Sequence, residues 1–213
     1  MRNISKVVLG LTAAGVLAAT VAGCSSSKKA DKKPVAEIKS LSGMSTSVKL
    51  DAGFVKAITG LGLAPGVVGG AKLDAATGTV SFPITGGNVT VYKKGEVKPY
   101  VKGSIKHDGS GLSLKAGPTT VQLENFDIDP GSHSTLYGDV SVNGKVAVKH
   151  APLFDLDGST LKPLTTSGNT ATLTGTRVLI SSAAADLLNK TFKTTAVKAG
   201  LVVGVATIVV NVK

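Results

Sequence analysis

The sequence predicts a mainly β protein, an antiparallel β-sandwich or barrel with two short helices, near residues 52–60 and 182–192. Three observations support this fold class. The apolar residues are largely Val, Leu, Ile and Ala, with only five Phe, three Tyr and no Trp. The chain also has 26 Gly, many of them in turn dipeptides. These turn signals recur at a spacing of roughly ten residues, which is typical of antiparallel sandwiches and barrels.

The chain begins with the pattern of an export signal. Arg2 and Lys6 supply positive charge before the apolar run 7–21. This run is too short to cross the roughly 30 Å hydrocarbon core of a bilayer as a helix. Two small residues then precede Cys24, the one cysteine of the chain. Residues 1–23 are therefore predicted to be a signal peptide that is removed before Cys24.

The run Val21-Ala22-Gly23-Cys24 resembles the bacterial lipobox, in which an aliphatic residue and two small residues precede a cysteine. The resemblance implies that diacylglycerol is attached to the sulfur of Cys24 and that a further acyl chain, such as palmitate, is added to the new amino terminus. Two or three acyl chains bind a protein to the membrane far more strongly than one, because each CH₂ group buried in the bilayer contributes about 0.8 kcal/mol. We therefore expect a lipoprotein on the extracytoplasmic face of the cell membrane. An ordinary cleaved signal with an incidental cysteine is the alternative.

A lipidated tether and one β-rich domain are predicted after the signal. Residues 24–44 are small, charged and Pro-containing without a consistent apolar period, which is typical of a flexible linker. Residues 45–213 have a suitable length for a single domain. Strand, helix and strand patterns follow one another in the same order in 46–84 and in 176–210. We therefore expect a degenerate β-α-β repeat at the two ends of the domain.

Each predicted helix begins after a good helix-capping residue. Asp51 and Ser181 precede apolar patterns of helical period. The strands are predicted from alternating apolar residues between turn signals: 46–50, 71–74, 78–84, 88–92, 97–107, 111–115, 119–127, 134–142, 145–150, 176–180 and 199–210. Turns are predicted at Pro65-Gly66 and Asp108-Gly109. Asn143-Gly144 is the strongest hairpin signal, because this dipeptide favours a two-residue turn.

The chain is strongly basic, with a formal net charge of +11. This charge favours anionic partners in the envelope, such as lipid headgroups or an anionic wall polymer. Lysines that simply cover the exposed faces of strands are the alternative explanation. Nucleic acid is not an expected partner, because an exported chain with only Arg2 and Arg177 lacks the usual arginine contacts.

The residue pattern predicts a protein that is not an enzyme. Acylation of the one cysteine, Cys24, would exclude a disulfide, a thiolate nucleophile and a Cys-ligated metal. No G-x-S-x-G motif is present. The run Ser159-Thr160-Leu161-Lys162 matches S-x-x-K, but it lies in a loop pattern and no K-T-G follows. No cofactor is predicted.

Four aspartates are the weak candidates for a cation site: Asp127, Asp129, Asp155 and Asp157. Hard cations such as Ca²⁺ bind several oxygen ligands from loops, and these residues form two closely spaced pairs at predicted strand ends. Neither pair completes an EF-hand loop. The alternative is that these aspartates are ordinary β-turn residues, whose side chains form hydrogen bonds with the turn backbone. The same residues could also form a glycosidase pair.

Three histidines lie beside predicted turns or strand ends, at His107, His133 and His150. None has the i, i+4 spacing of a helical zinc motif. We expect them to be exposed turn residues, with a shared metal or haem site as the alternative.

Three segments resemble a recurrent pattern in exported β-rich proteins of high-GC Gram-positive bacteria, and are similar to HtaA-type haem-binding domains. They are TGTVSFPITGG (77–87), VQLENFDID (121–129) and LYGDVSVNG (136–144). The resemblance implies a β-rich fold and haem ligation by a tyrosine. Tyr92, Tyr100 and Tyr137 are present, and none of them aligns with the haem-ligand motif of that family.

Together these observations predict a lipid-anchored, non-enzymatic surface domain that binds or structures a component of the cell envelope. A carrier of haem or of a small apolar ligand is the first alternative. A cell-wall enzyme with an unrecognised site is the second, and it would require the four aspartates to meet in a deep cleft.

Overall fold

The computed structural model describes residues 32–212, so the predicted signal peptide, Cys24 and the first part of the tether lie outside the described residues. Thirteen strands form one antiparallel sheet that curls into a half-barrel, accompanied by two helices. The mainly β fold class is therefore confirmed. None of the helices in the described part of the chain has the length and apolarity that a membrane-spanning helix requires.

The strands vary from three to sixteen residues in length. They are β1 (Ala36–Ile38), β2 (Ser45–Leu50), β3 (Ala64–Gly69), β4 (Lys72–Asp74), β5 (Thr79–Pro83), β6 (Gly86–Val91), β7 (Val101–Ala116), β8 (Thr119–Asp129), β9 (Thr135–Val142), β10 (Lys145–Asp157), β11 (Thr165–Ser167), β12 (Thr170–Ile180) and β13 (Val202–Asn211). The helices are α1 (Ala52–Gly60) and α2 (Ser182–Phe192).

One continuous path of strand pairing runs through the sheet. Its order is β1-β6-β7-β8-β9-β10-β12-β13-β2-β5-β4, with β3 paired to β7 and β11 paired to β12 beside this path. A sandwich would need two sheets packed face to face. Because the described strands belong to a single curled sheet, the half-barrel is correct and the sandwich alternative is wrong.

The inner face of the half-barrel holds the core, since side chains alternate between the two faces of a strand. Val121, Leu123 and Val140 point inward from β8 and β9 and are 5% exposed or less. Gly138 lies on the same face of β9, where an added Cβ would come within 2.9 Å of side-chain atoms of Phe126 and Leu153. The small residue is therefore required by the packing of the sheet.

Both helices begin and end where the sequence predicts them. The carboxylate of Asp51 accepts the backbone N–H of Phe54 at 3.0 Å, and the hydroxyl of Ser181 accepts that of Ala184 at 3.0 Å. These two side chains satisfy N–H groups that a helix leaves without partners in its first turn. The predicted helices near 52–60 and 182–192 are confirmed.

The predicted turn at Asp108-Gly109 is wrong, because β7 continues through it as one strand. A register shift between His107 and Gly111, with Gly109 at a φ of +69°, forms a bulge instead of a hairpin. The predicted turn at Pro65-Gly66 is also wrong. These residues belong to β3, which pairs with the second half of β7.

The folded part begins earlier than the sequence predicts. β1 lies within the segment predicted to be a tether and pairs with β6, and Leu41 is only 2% exposed.

The predicted hairpin at Asn143-Gly144 is confirmed, since both residues have positive φ and Val142 pairs with Lys145. The strands that flank the two helices are neighbours in the sheet, in the order β12-β13-β2-β5, and all of them pair antiparallel. The β-α-β repeat proposed for the two ends of the domain stays a prediction.

Candidate functional site

An apolar cavity, here called the outer cavity, lies between the two helices and the inner face of the sheet. Its volume is about 110 Å³. α1 contributes Phe54, Ala57 and Ile58 to its wall, and α2 contributes Ala184 and Leu188. β3, β7 and β13 supply further apolar residues, and Ser113 is the one polar residue among those that line it. The cavity can therefore hold an apolar molecule but offers little hydrogen bonding to it.

Several residues that line the outer cavity are exposed to solvent and form what we call the apolar rim: Ala57, Leu61, Pro65, Val67, Leu73 and Ala196. Leu61 and Val67 are each 38% exposed and Leu73 is 49% exposed. Contiguous exposed apolar residues commonly mark a binding site. The outer cavity is thus open to the surface at a hydrophobic entrance.

The side chain of Asn189 fixes the loop that forms one side of this entrance. Its amide nitrogen donates to the carbonyl of Val197 at 2.9 Å, and its amide oxygen accepts the N–H of Val197 at 3.1 Å. Both bonds tie the loop after α2 to the helix itself. Ala196, which belongs to the apolar rim and directly precedes Val197, is therefore positioned by the half-buried side chain of Asn189.

A second cavity, the inner cavity, adjoins the outer one further along the inner face of the sheet. Its volume is about 40 Å³. Five residues line both cavities and form what we call the collar: Leu50, Val80, Leu112, Phe154 and Val203. The two cavities therefore meet at a ring of apolar side chains, and together they run along the interior of the half-barrel.

His107 and Thr46 are the buried polar residues of the inner cavity. The Nδ1 atom of His107 lies 3.3 Å from the carbonyl oxygen of Phe126, and its Nε2 atom lies 2.8 Å from the hydroxyl of Thr46. Because a carbonyl only accepts, Nδ1–H donates to Phe126 and Nε2 accepts from Thr46. Burial lowers the pKa of His107 from 6.5 to about 4, so the ring is neutral at physiological pH.

Aromatic rings stiffen the wall next to this histidine. The ring of Phe82 meets those of His107 and Phe126 edge to face, with centroid distances of 6.4 Å and 5.3 Å. Phe126 meets Phe154 of the collar in the same way at 6.4 Å. Such edge-to-face pairs stabilise a packed interior.

The four candidate aspartates do not line either cavity. Asp127 accepts the hydroxyl of Ser104, and Asp129 accepts the N–H of Gly131 at 2.8 Å. Asp155 is exposed on β10. Each of the first two therefore has a local partner of its own.

Asp157 is paired with the guanidinium of Arg177 at 3.0 Å. Its pKa is lowered chiefly by the backbone N–H and hydroxyl of Ser159, with a smaller effect of Arg177. Within residues 32–212, no three or more side chains of His, Cys, Asp and Glu lie close enough together to hold a metal ion.

The histidines separate into two kinds. His133 and His150 are exposed, as the sequence predicts. The prediction of an exposed turn residue is wrong for His107, which is 1% exposed. β7 does not turn at this point, so His107 pairs with Phe126 and faces the interior together with Ile105. The ring of His150 stacks on that of Tyr137, with centroids 4.5 Å apart and an angle of 5° between the planes.

The tyrosines lie away from the cavities. Tyr92, Tyr100 and Tyr137 are absent from the residues that line them. Tyr92 is covered by the ammonium group of Lys102, which lies 5.5 Å from the centre of its ring. Cys24, the predicted lipidation site, lies outside the described residues.

The sequence did not reveal the two cavities. Leu61, Pro65 and Val67 of the apolar rim lie in a glycine-rich stretch that reads as a loop. The other lining residues read as ordinary parts of helices, strands or core. The one available signal was Leu61, Val67 and Leu73, which are large apolar residues between turn glycines.

No protein-family model and no curated protein sequence matches the chain. Three domains of solved structure are similar to it, all from Corynebacterium glutamicum. The C-terminal domain of HtaA has a TM-score of 0.52 and 16% identity over 82% of this chain and 98% of that one. The heme binding protein HtaB has a TM-score of 0.53 and 11% identity over 82% of this chain and 95% of that one. The N-terminal domain of HtaA has a TM-score of 0.50 and 10% identity over 81% of this chain and 98% of that one. At these identities the likeness shows a shared fold.

The residues that line the cavities do not fit haem. Proteins bind haem iron through His, Cys, Met or Tyr. Among the described residues that line the two cavities, His107 is the only one of these types. Both of its ring nitrogens already have partners, and the ring is buried behind the collar.

Proposed function

We propose that this protein is a non-enzymatic carrier of a small apolar ligand, which it binds in the outer cavity. The observation that carries the proposal is the open apolar cavity between the two helices and the sheet, with its exposed rim. A void of about 110 Å³ costs roughly 2–3 kcal/mol of stability if nothing fills it. An apolar ligand would offset this cost and would cover the rim.

The interior lacks the groups that catalysis requires. A general acid or base needs a titratable side chain within reach of the ligand. His107 is the one such residue among those lining the cavities, and both of its nitrogens are engaged. This arrangement supports a binding role rather than a reaction.

The lipobox supports a place at the extracytoplasmic face of the cell membrane, with the lipid on Cys24 as the anchor. A membrane is also the main reservoir of apolar molecules in an envelope, so the anchor would keep the carrier close to its ligand. Anionic headgroups or an anionic wall polymer remain the partners that the net charge of +11 favours.

Binding of the apolar fluorophore phenylnaphthylamine tests the proposal. Residues 24–213 with Cys24→Ser contain every described element and need no detergent. We expect saturable binding that Ala57→Phe weakens at least tenfold, because the added ring would enter the outer cavity from α1. Ala52→Phe is the matched control, since Ala52 is an exposed residue of the same helix that does not line the cavity.

Equal affinities of Ala57→Phe and Ala52→Phe, or no saturable binding by the parent chain, would contradict the proposal. Thermal unfolding of all three proteins verifies that the substitutions leave the fold intact.

Haem is the second candidate, favoured by the fold that the chain shares with the heme binding protein HtaB. A haem site here would need a ligand outside the two cavities, and the half-buried Tyr137 beside His150 is the available pair. Adding haem to the same chain tests this candidate. A Soret band that Tyr137→Phe removes and Tyr92→Phe retains would replace the apolar-ligand proposal with haem binding, whereas an unchanged spectrum of free haem would eliminate haem.

A further inference from the structure

We infer that the ligand is an anionic amphiphile with a single acyl chain, which passes the collar into the inner cavity while its head stays at the apolar rim. This inference rests on the proposed function, because it names the class of ligand for the same site. Three features of the interior support it: its continuity, its chemistry and the charges at its entrance.

The first feature is the path from the surface to the deepest point. The outer cavity opens at the apolar rim and narrows to the collar, whose five residues also line the inner cavity. The inner cavity then ends at the hydrogen-bonded pair of His107 and Thr46. Leu50 and Leu112 of the collar are only partly buried, and movement of these two side chains would let a thin chain pass. A path that is long and narrow suits a hydrocarbon chain.

The second feature is the scarcity of polar groups along this path, where Ser113 and Thr176 are the polar lining residues besides the hydrogen-bonded pair of His107 and Thr46. Every buried side-chain nitrogen and oxygen of the described residues has a hydrogen-bond partner within the protein. A polar group of a ligand would therefore lose its water without gaining a partner. The part of the ligand inside the half-barrel must consist of hydrocarbon alone.

The volumes point to the same class of molecule. An apolar cavity of roughly 150 Å³ accommodates a molecule of the size of benzene. The outer and inner cavities, at about 110 Å³ and 40 Å³, are of this order and lie one behind the other. Two small cavities in series suit a flexible chain better than a rigid macrocycle, which would have to displace a helix.

The third feature is the charge next to the rim. Lys56 and Lys72 are exposed and directly adjoin the rim residues Ala57 and Leu73. Asp74 also adjoins Leu73, but its carboxylate accepts the hydroxyl of Thr77 at 2.8 Å and the N–H of Ala76 at 3.0 Å. These bonds lower the pKa of Asp74, so its carboxylate stays ionised. Two ammonium groups against one carboxylate leave a net positive charge beside the rim residues of α1 and β4, and this charge favours a carboxylate or phosphate head.

A series of saturated fatty acids from butyrate to stearate tests the inference, each competing with phenylnaphthylamine on residues 24–213 with Cys24→Ser. We expect the affinity to rise about fourfold per added CH₂ and then to reach a plateau when the chain fills both cavities. Ala206→Leu, which fills the inner cavity, should move the plateau to shorter chains and leave phenylnaphthylamine binding unchanged. Ala147→Leu on the exposed part of β10 is the matched control.

Thr176→Leu, at a partly exposed position of the same inner cavity, serves as the second variant if Ala206→Leu does not fold. A dependence on chain length that neither variant alters would overturn the inference, because the chain would then not enter the inner cavity.

The interaction of the ligand's anionic head with the two lysines is tested with the double variant Lys56→Gln and Lys72→Gln. This double variant should weaken palmitate several-fold and leave the uncharged alcohol of the same chain length unaffected, while Lys145→Gln on β10 should alter neither. Saturable phenylnaphthylamine binding without any preference for longer acyl chains would contradict the inference and leave the proposed function standing. Failure of the proposed function is recognised separately, by phenylnaphthylamine binding that Ala57→Phe does not weaken.

Discussion

The Nε2 atom of His107 lies 2.8 Å from the hydroxyl oxygen of Thr46, and this hydrogen bond closes the inner end of the two cavities. It joins β7 to β2 across the interior of the half-barrel, between residues 61 positions apart in the chain. In the neutral ring Nε2 accepts the Thr46 hydroxyl, whereas protonation would reverse this bond and place a positive charge in the buried interior. The protonation of one buried histidine is thus linked to the stability of the fold.

The stability of the protein should decrease as the pH falls from 6.5 towards 4. Burial lowers the pKa of His107 to about 4 in the folded protein, while the unfolded chain has the ordinary value of 6.5. The unfolded state therefore binds a proton in this window that the folded state excludes. The linkage predicts a loss of about 2–3 kcal/mol between pH 7.5 and pH 4.5. Urea unfolding at the two pH values measures it.

His107→Gln should abolish most of this pH dependence, because an amide does not titrate. His133→Gln is the control, since His133 is exposed and its replacement should leave the dependence intact. Identical pH dependences in the parent chain and His107→Gln would show that the buried histidine is not the titrating group.

Ser181→Ala should destabilise the protein by about 2 kcal/mol. The hydroxyl of Ser181 accepts the N–H of Ala184 at 3.0 Å and donates to the carbonyl of Pro152 at 2.6 Å, so it caps α2 and also fastens the helix to β10. Ser182→Ala is the matched control, because Ser182 is the exposed first residue of the same helix. A free energy of unfolding that changes equally in both variants would refute the role of Ser181.

Gly138→Ala should cost roughly 1–3 kcal/mol, because the added methyl group overpacks the core. Its Cβ would lie 2.8 Å from a methyl carbon of Leu153 and 2.9 Å from a ring carbon of Phe126. Gly86→Ala on β6 is the control, since nothing lies within 4 Å of an added Cβ there. Chemical denaturation of the two variants gives the comparison, and a stability of Gly138→Ala within about 0.5 kcal/mol of the parent would contradict this packing.

Local sequence signals predicted the elements whose formation depends on neighbouring residues. The caps at Asp51 and Ser181 and the hairpin at Asn143-Gly144 act over a few positions, and all three were confirmed. Asp108-Gly109 carries the same local chemistry as a hairpin turn. The structure makes it a bulge because β3 and β8 pair with β7 on either side, and that long-range pairing has no local signature.

The candidate site was less accessible to prediction than the fold. Apolar residues that line a cavity have the same pattern as residues that fill a core, so Phe54 and Leu188 were read as core residues of their helices. His107 is buried because β7 continues through the predicted turn at Asp108-Gly109, which the sequence did not reveal. The cavities are the reason that we propose a carrier of an apolar ligand in place of the general binding or structural role that the sequence favoured.

Native mass spectrometry of the chain secreted by its own host tests the central claim most directly. The host would secrete residues 24–213 with Cys24→Ser behind an ordinary cleavable signal peptide, so that the protein carries no covalent lipid and is purified without detergent. We predict a noncovalently bound species that is released on denaturation, that has the mass of a single-chain acyl amphiphile, and that is absent from Ala57→Phe but present in Ala52→Phe. The mass of the unliganded chain alone, or that of an iron porphyrin complex, would contradict the account.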